Sequence, residues 1–169
     1  MRLKHYLSCM LILLSFVTVN AQESQKKELK EGDQAPTFKY LDINGKEVSL
    51  SDLKGKYVYI DVWATWCGPC QYELPHLKEL EKKMHGKKIV FVSISCDKDK
   101  AAWEKMVKEQ GLGGVQLHNG GDREFMTAFG IRGIPRFILL DKEGKVVNAN
   151  MTRPSNAETE KTLKALKGI

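Results

Sequence analysis

This chain predicts an α/β fold, one domain built on a central mixed β-sheet, and three observations carry that expectation. Tyr57-Val58-Tyr59-Ile60-Asp61-Val62-Trp63 is an apolar run of strand length bounded by turn residues. Lys88 to Ser95 is a second such run, and a helix-length segment lies between them, so the two strands pair in parallel through a right-handed crossover. Near the C terminus, Arg136-Phe137-Ile138-Leu139-Leu140 and Lys145-Val146-Val147 flank the turn residues Asp141 to Gly144 and read as an antiparallel hairpin.

The remaining elements follow in order. Gln22 to Glu31 is a charged lead-in without periodicity, and Asn44-Gly45 marks an N-terminal hairpin turn. Residues 68 to 84 predict a helix with Leu77, Leu80 and Met84 on its buried face; Pro75 should kink it, because the ring clashes with the carbonyl of Gln71. Asp97 is the expected cap of a second helix through Trp103 and Met106 to about Gln110. Beyond Gly111 to Gly114, Val115-Gln116-Leu117 suggests a minor strand and Asp122 to Phe129 a short helix. Ser155-Asn156-Ala157-Glu158 has the spacing of a capping box and opens the last helix, through Leu163 and Leu166. The 138 residues from Gly32 onward suffice for one hydrophobic core.

Composition points to an exported protein. Of 169 residues, 27 are Lys or Arg and 21 Asp or Glu, a formal charge of +6. Arg2 and Lys4 precede the apolar stretch Leu7 to Val19, and Val19-Asn20-Ala21 offers small residues for cleavage, so residues 1–21 read as a signal peptide and 22–31 as a linker to a domain over 32–169. The apolar stretch is shorter than the ~20 residues a spanning helix prefers, which favours cleavage over a retained anchor. Cys9 comes too early for a lipidation box. Without residues 1–21 the charge is +4 and three cysteines remain. The lysines alternate with glutamates and lack aromatic interleaving, which argues against nucleic acid as a partner.

The chemistry sits in Trp66-Cys67-Gly68-Pro69-Cys70, where a strand gives way to a helix. Two thiols separated by two residues close and reopen as a disulfide at small conformational cost, a two-electron switch that needs no cofactor. The N–H groups and dipole of the helix N-terminus favour a thiolate, so Cys67 is the expected nucleophile with a lowered pKa, and Cys70 the less exposed resolving thiol. Pro69 suits the first helical turn, and Gly68 keeps side chains away from the sulfur. A zinc site would want four ligands, and the mature chain offers one further Cys and scattered His, so no metal is expected. A purely structural bridge is the other alternative, although stapling disulfides usually close longer loops.

These residues, with Val62-Trp63-Ala64-Thr65 before them and Phe129-Gly130-Ile131-Arg132-Gly133-Ile134-Pro135 much later, resemble the thioredoxin superfamily. Gly32-Asp33-Gln34-Ala35-Pro36-Thr37-Phe38, Asn44-Gly45-Lys46 and Leu50 to Lys56 narrow the resemblance to the exported TlpA/ResA-type thiol-disulfide oxidoreductases. The resemblance implies a thioredoxin-like three-layer sandwich with an N-terminal hairpin and a helical insertion. It implies a cis Ile134-Pro135 bond facing the cysteines, with Trp66, Gly68, Pro69, Ile134 and Pro135 forming the surface on which a substrate's extended backbone pairs. An ordinary trans proline opening the following strand is the alternative.

Asp61 belongs to a strand covered on both faces, where burial should raise its pKa and fit it to accept a proton at neutral pH. The resemblance puts it beneath the pair as proton acceptor for Cys70; satisfaction by local hydrogen bonds is the structural alternative. Cys70-Gln71-Tyr72-Glu73-Leu74-Pro75 resembles the C-x-x-E-x-P extension of the TlpA/ResA group, in which the glutamate lines the active site and tunes thiol acidity. An exposed first-turn Glu73 favouring the helix dipole is the alternative. Cys96, at the end of its strand, is expected as a small buried thiol, and His76, His85 and His118 as solvent-facing or capping residues.

The expected function is disulfide exchange with disulfide-containing or dithiol proteins in the periplasm, mainly as a reductant and as a monomer. The Gly-Pro dipeptide matches thioredoxin, whose potential is about −270 mV, and the family implies recharging by a membrane electron-donor protein. A peroxiredoxin is the rival enzyme, sharing the Gly32 to Lys56 opening, but with Cys70 as its peroxidatic residue Cys67 falls where Thr belongs and Trp63 where Pro belongs. A redox-silent binding module using the Ile134-Pro135 groove is the non-enzymatic alternative, and it leaves both thiols and Asp61 unexplained.

Overall fold

The computed structural model describes residues 29–169; the expected signal peptide and most of the lead-in lie outside the described residues. Among these residues one seven-stranded mixed sheet runs in the order β2-β1-β5-β4-β3-β6-β7. The chain lays down β1 (Lys39–Asp42), β2 (Glu47–Ser49), a 3-10 turn (Leu50–Leu53), β3 (Tyr57–Trp63), α1 (Gly68–Lys83), β4 (Ile89–Ser95) and α2 (Lys100–Gln110). It continues through β5 (Val115–His118), α3 (Glu124–Ala128), β6 (Arg136–Leu140), β7 (Val146–Met151) and α4 (Ala157–Lys164). Strands β3, β4 and β5 are parallel neighbours; the other pairings are antiparallel.

Alternation along β3 decides the layering. Val58, Ile60 and Val62 join Phe38, Phe125, Phe129 and Ile138 in a core under α3 and the N-terminal segment. Tyr59 and Trp63 face the other way, toward Leu77 and Leu80 of α1, Leu163 of α4 and Trp103 of α2. The sheet is therefore sandwiched between helical layers, with α2 as the inserted helix, and this is the thioredoxin-like arrangement. Helix α1 passes through Pro75 without interruption.

Several local expectations change. Helix α2 is capped by Asp99, whose carboxylate accepts from the amides of Ala101 and Ala102, and not by Asp97. Helix α4 is capped by Asn156 rather than Ser155, and its last regular residue is Lys164, short of Leu166. The short helix starts at Glu124 instead of Asp122. Strand β5 is no minor appendage, since it joins the parallel strands to the N-terminal hairpin, with Ser95 opposite His118 on one side and Leu41 opposite His118 on the other. It opens on Gly114, at φ +64°, where a Cβ would meet the Phe91 carbonyl oxygen at 2.8 Å, so only glycine fits.

The entering chain is stitched to the β6–β7 turn. Gly32 N–H donates to Val146 O at 2.8 Å, Ala35 N–H to Gly144 O at 3.1 Å, and Val146 N–H back to Asp33 O at 2.9 Å. Among the described residues no helix is long and apolar enough to cross a membrane.

Candidate active site

Strand β3 is parallel to β4 and ends in the sheet's interior, so the loop that leaves it emerges beside the ends of its neighbours, a usual place for chemistry in such sheets. Cys67 is the N-cap of α1: its carbonyl receives the Gln71 amide at 3.0 Å, and its sulfur accepts from the Cys70 amide at 3.2 Å. Cys67 and Cys70 form a disulfide, with Cα atoms 5.2 Å apart. In this oxidised form both are buried, Cys67 at 5% exposure and Cys70 at 2%, because Trp63, Leu74, Trp103 and Ile134 pack about them. The neighbouring Trp66 is 69% exposed. Gly68 has no positive φ, and open space lies where its Cβ would be, so its lack of a side chain leaves room beside the sulfur and the turn itself makes no demand for glycine. Pro69 follows in the first turn, as a helix start allows.

The Ile134–Pro135 peptide bond is cis. Register puts it next to the cysteine loop: Arg136, the first residue of β6, pairs with Val62, and Ile134 packs on the cluster that holds both cysteines. Two segments nearly seventy positions apart in the chain thus border one site.

Asp61 is 3% exposed on the α1 face of β3, flanked in register by Ser93 and Phe137. Burial pushes its carboxyl from an ordinary value of 3.8 to about 7; the 2.6 Å hydrogen bond from Ser93 Oγ opposes that rise and the Glu81 charge adds to it. Glu81, three turns along α1, is itself raised to about 7 by burial, its carboxylate lying where a Cβ on Gly113 or Gly114 would have to go. No local pattern marks Glu81, because the glycines that enclose it, Gly113 and Gly114, lie more than thirty residues further along the chain.

Glu73 is buried, at 3% exposure, and not an exposed first-turn residue. Its Oε2 accepts from Ser155 N–H and its Oε1 from Ser155 Oγ, both at 2.9 Å, and Arg153 Nη1 lies 3.9 Å from Oε1. Those contacts explain why Ser155 does not cap α4. They also tie the first turns of α1 to the chain before the last helix.

Asp97 has a larger role than a cap. It is 1% exposed, and its carboxylate accepts from Thr65 N–H at 3.0 Å, Thr65 Oγ1 at 2.7 Å and Ser95 Oγ at 2.7 Å. Thr65 O in turn accepts from Gln71 Nε2 at 2.5 Å, so the loop between Trp63 and Cys67 is held from both sides. His118 supports the same point: it is buried, its ring lies 5.3 Å from that of Trp103 at a tilt of 35°, and its Nε2 is 2.9 Å from Asp97 O. Its Nδ1 accepts from Gly120 N–H, which leaves the ring proton on Nε2. It is thus neither solvent-facing nor a helix cap. Asp97→Ala removes the acceptor of the buried Ser95 hydroxyl and of the half-buried Thr65 hydroxyl and amide, and is expected to cost roughly 2–3 kcal/mol of stability in chemical denaturation, with Asp97→Asn costing less.

Cys96 is half-buried rather than enclosed, donates to Trp63 O at 3.3 Å, and has its thiol pKa raised by burial and the Asp97 charge.

A family profile described as Redoxin matches residues 30–166. Thiol-disulfide oxidoreductase ResA of Bacillus cereus is 31% identical over 154 residues, 90% of this chain and 88% of that protein. ResA of Bacillus subtilis is 34% identical over 134 residues, covering 79% and 74%. Among solved structures, a Bacteroides vulgatus protein assigned as a thiol-disulfide oxidoreductase is 66% identical, with a TM-score of 0.71 over 76% of this chain and 85% of that one. The thioredoxin domain of a thiol-disulfide oxidoreductase from the same organism is 31% identical, with a TM-score of 0.74 over 81% and 97%. Fold, paired sulfurs and matched length agree, and the chain belongs to the Redoxin family as a TlpA/ResA-type thiol-disulfide oxidoreductase.

Proposed function

We propose that the protein reduces disulfides of exported proteins in the periplasm, with Cys67 as nucleophile, Cys70 as resolving thiol and Asp61 as proton acceptor. The observation that carries this reading is the Cys67–Cys70 pair at the N-terminus of α1, directly after the strand that buries Asp61. In the reduced enzyme, the unpaired N–H groups of the first turn favour a thiolate on Cys67. That thiolate attacks one sulfur of the client disulfide; the client S–S bond breaks, a Cys67–client bond forms, and the departing client thiolate takes a proton from solvent. Cys70 then loses its proton to the Asp61 carboxylate and attacks Cys67 Sγ. The second client thiolate leaves, and the Cys67–Cys70 bond closes. The client has gained two electrons and the enzyme has lost two, so a membrane dithiol donor must supply two more for each turnover.

The backbone at Ile134 is the docking edge for the client chain, with Trp66, Gly68, Pro69 and Pro135 around it, and Glu73 sets the first turn that carries Cys70. Cytochrome c maturation is one process that needs such a reductant. The test is a Cys70→Ser variant expressed in the exported form: it is expected to accumulate mixed disulfides through Cys67, which mass spectrometry identifies. Normal export with no covalent partner recovered would overturn the reading. A midpoint potential near that of strong periplasmic oxidants, about −120 mV, would reverse the proposed direction.

A further inference from the structure

A cleft of about 700 Å³ opens beside the cysteine pair, between the start of α2 and the loop from α3 to Pro135. Trp66 and Ile134, which flank the nucleophile, form one wall, and Met126, Ile131 and Ala102 continue the apolar lining. Its rim is cationic. Lys98 and Arg123 are exposed there, and neither forms an ion pair with a described residue; Arg132 lines the cleft as well. The two carboxylates in the lining are engaged internally: Asp97 accepts from Thr65 and Ser95, and Asp99 caps α2. What the cleft offers an incoming chain is thus an apolar wall with two exposed cationic side chains, Lys98 and Arg123, above it, while the Asp97 carboxylate is turned into the fold and that of Asp99 onto the α2 amides.

We infer that this cleft selects clients, receiving a polypeptide segment next to the client's reactive cysteine that carries an apolar side chain with a carboxylate beside it. The inference rests on the disulfide-exchange reading above and names its substrate class. The apolar side chain lies against Trp66, Met126 and Ile134 while the carboxylate meets Lys98 and Arg123, so the segment arrives with its sulfur beside Cys67. Glutathione disulfide also carries carboxylates, but it has no apolar side chain to lay against Trp66, Met126 and Ile134, so the occupant is a polypeptide.

The test uses the reduced full chain and three synthetic peptide disulfides whose cysteine is flanked by Glu-Leu, Ser-Leu or Lys-Leu. At about 20 mM salt, kcat/KM for the Glu-flanked peptide is expected to exceed that for the Lys-flanked one by about tenfold, and the gap to close at about 0.5 M salt. K98E/R123E is expected to invert the order; because it must speed the Lys-flanked peptide, a misfolded variant cannot mimic the result. K54E/K56E, which makes the same charge change before β3 at the far end of the sheet, is expected to keep the wild-type order. Equal rates within about twofold for all three peptides would overturn the inference and leave disulfide exchange intact. Inversion by K54E/K56E as well would assign the preference to overall charge and overturn it. Slowed glutathione disulfide reduction in K98E/R123E with an unchanged peptide order would overturn it too, by giving the cleft to the small thiol. If no peptide is reduced, the exchange reading falls and takes the inference with it.

Discussion

Cys67→Ser is expected to lower the rate of insulin or peptide disulfide reduction by at least about a thousandfold, without loss of the fold. The substituted oxygen is a far weaker nucleophile than sulfur at neutral pH, and no other thiol is placed to replace it. Cys70 is deeper, at 2% exposure, and lies inside the helix rather than at its cap. Cys96 has a thiol held up by burial and by the Asp97 charge, which keeps it protonated and slow. The same contrast predicts that iodoacetamide at pH 7, applied to the reduced wild-type protein, labels Cys67 well before Cys96. Equal labelling, or insulin reduction by Cys67→Ser above a few per cent of wild type, would contradict the assignment. Peroxide turnover is expected to stay at background in both proteins.

Asp61→Asn is expected to stabilise the protein and slow it at once. The carboxyl titrates near 7 in the folded protein and near 3.8 when unfolded. Between those values the unfolded chain holds fewer protons, so stability from this group is fully present below about pH 4 and is lost as pH rises through 7. At about 1.4 kcal/mol per pH unit the loss is roughly 4 kcal/mol, and an uncharged Asn that still accepts from Ser93 Oγ escapes it. Urea denaturation at pH 5 and pH 8 measures the difference, which should shrink in the variant. On the kinetic side, removing the proton acceptor is expected to slow resolution of the mixed disulfide by roughly tenfold to a hundredfold. In the wild type, that step should accelerate as pH rises through 7, when the carboxylate becomes available, and the inflection should vanish in Asp61→Asn. A variant no more stable than wild type at pH 8, with an unchanged pH profile, would remove Asp61 from the mechanism.

Elements whose signal is local were legible in the sequence. Tyr57–Trp63, Ile89–Ser95 and Arg136–Leu140 are apolar runs of strand length, and they form strands within a residue of the expected limits. Polar side chains were harder, for one physical reason. A sequence rule gives an Asp or Ser to the nearest free amide, yet Asp97 is taken by Thr65, thirty-two residues back, and Ser155 by Glu73, eighty-two residues back. Asp99 and Asn156, each close behind a displaced candidate, do the capping instead. His118 escaped for the same reason, since its partners, Trp103 and the Asp97 carbonyl, meet it only after β5 docks on β4. The cleft is assembled from the loop after β3, the start of α2 and the stretch from α3 to Pro135, and no contiguous motif records it.

The stitching of Gly32 to Ala35 onto the β6–β7 turn also separates the point of chain entry from the reactive sulfurs. That turn follows Leu140, which pairs with Val58 at the start of β3, whereas the sulfurs follow Trp63 at its far end. The backbone between those poles is about 20 Å long, at about 3.3 Å per residue. The described chain therefore enters the domain at the pole opposite the reactive sulfurs, and a fusion partner joined through that entry leaves the face that large clients must reach uncovered.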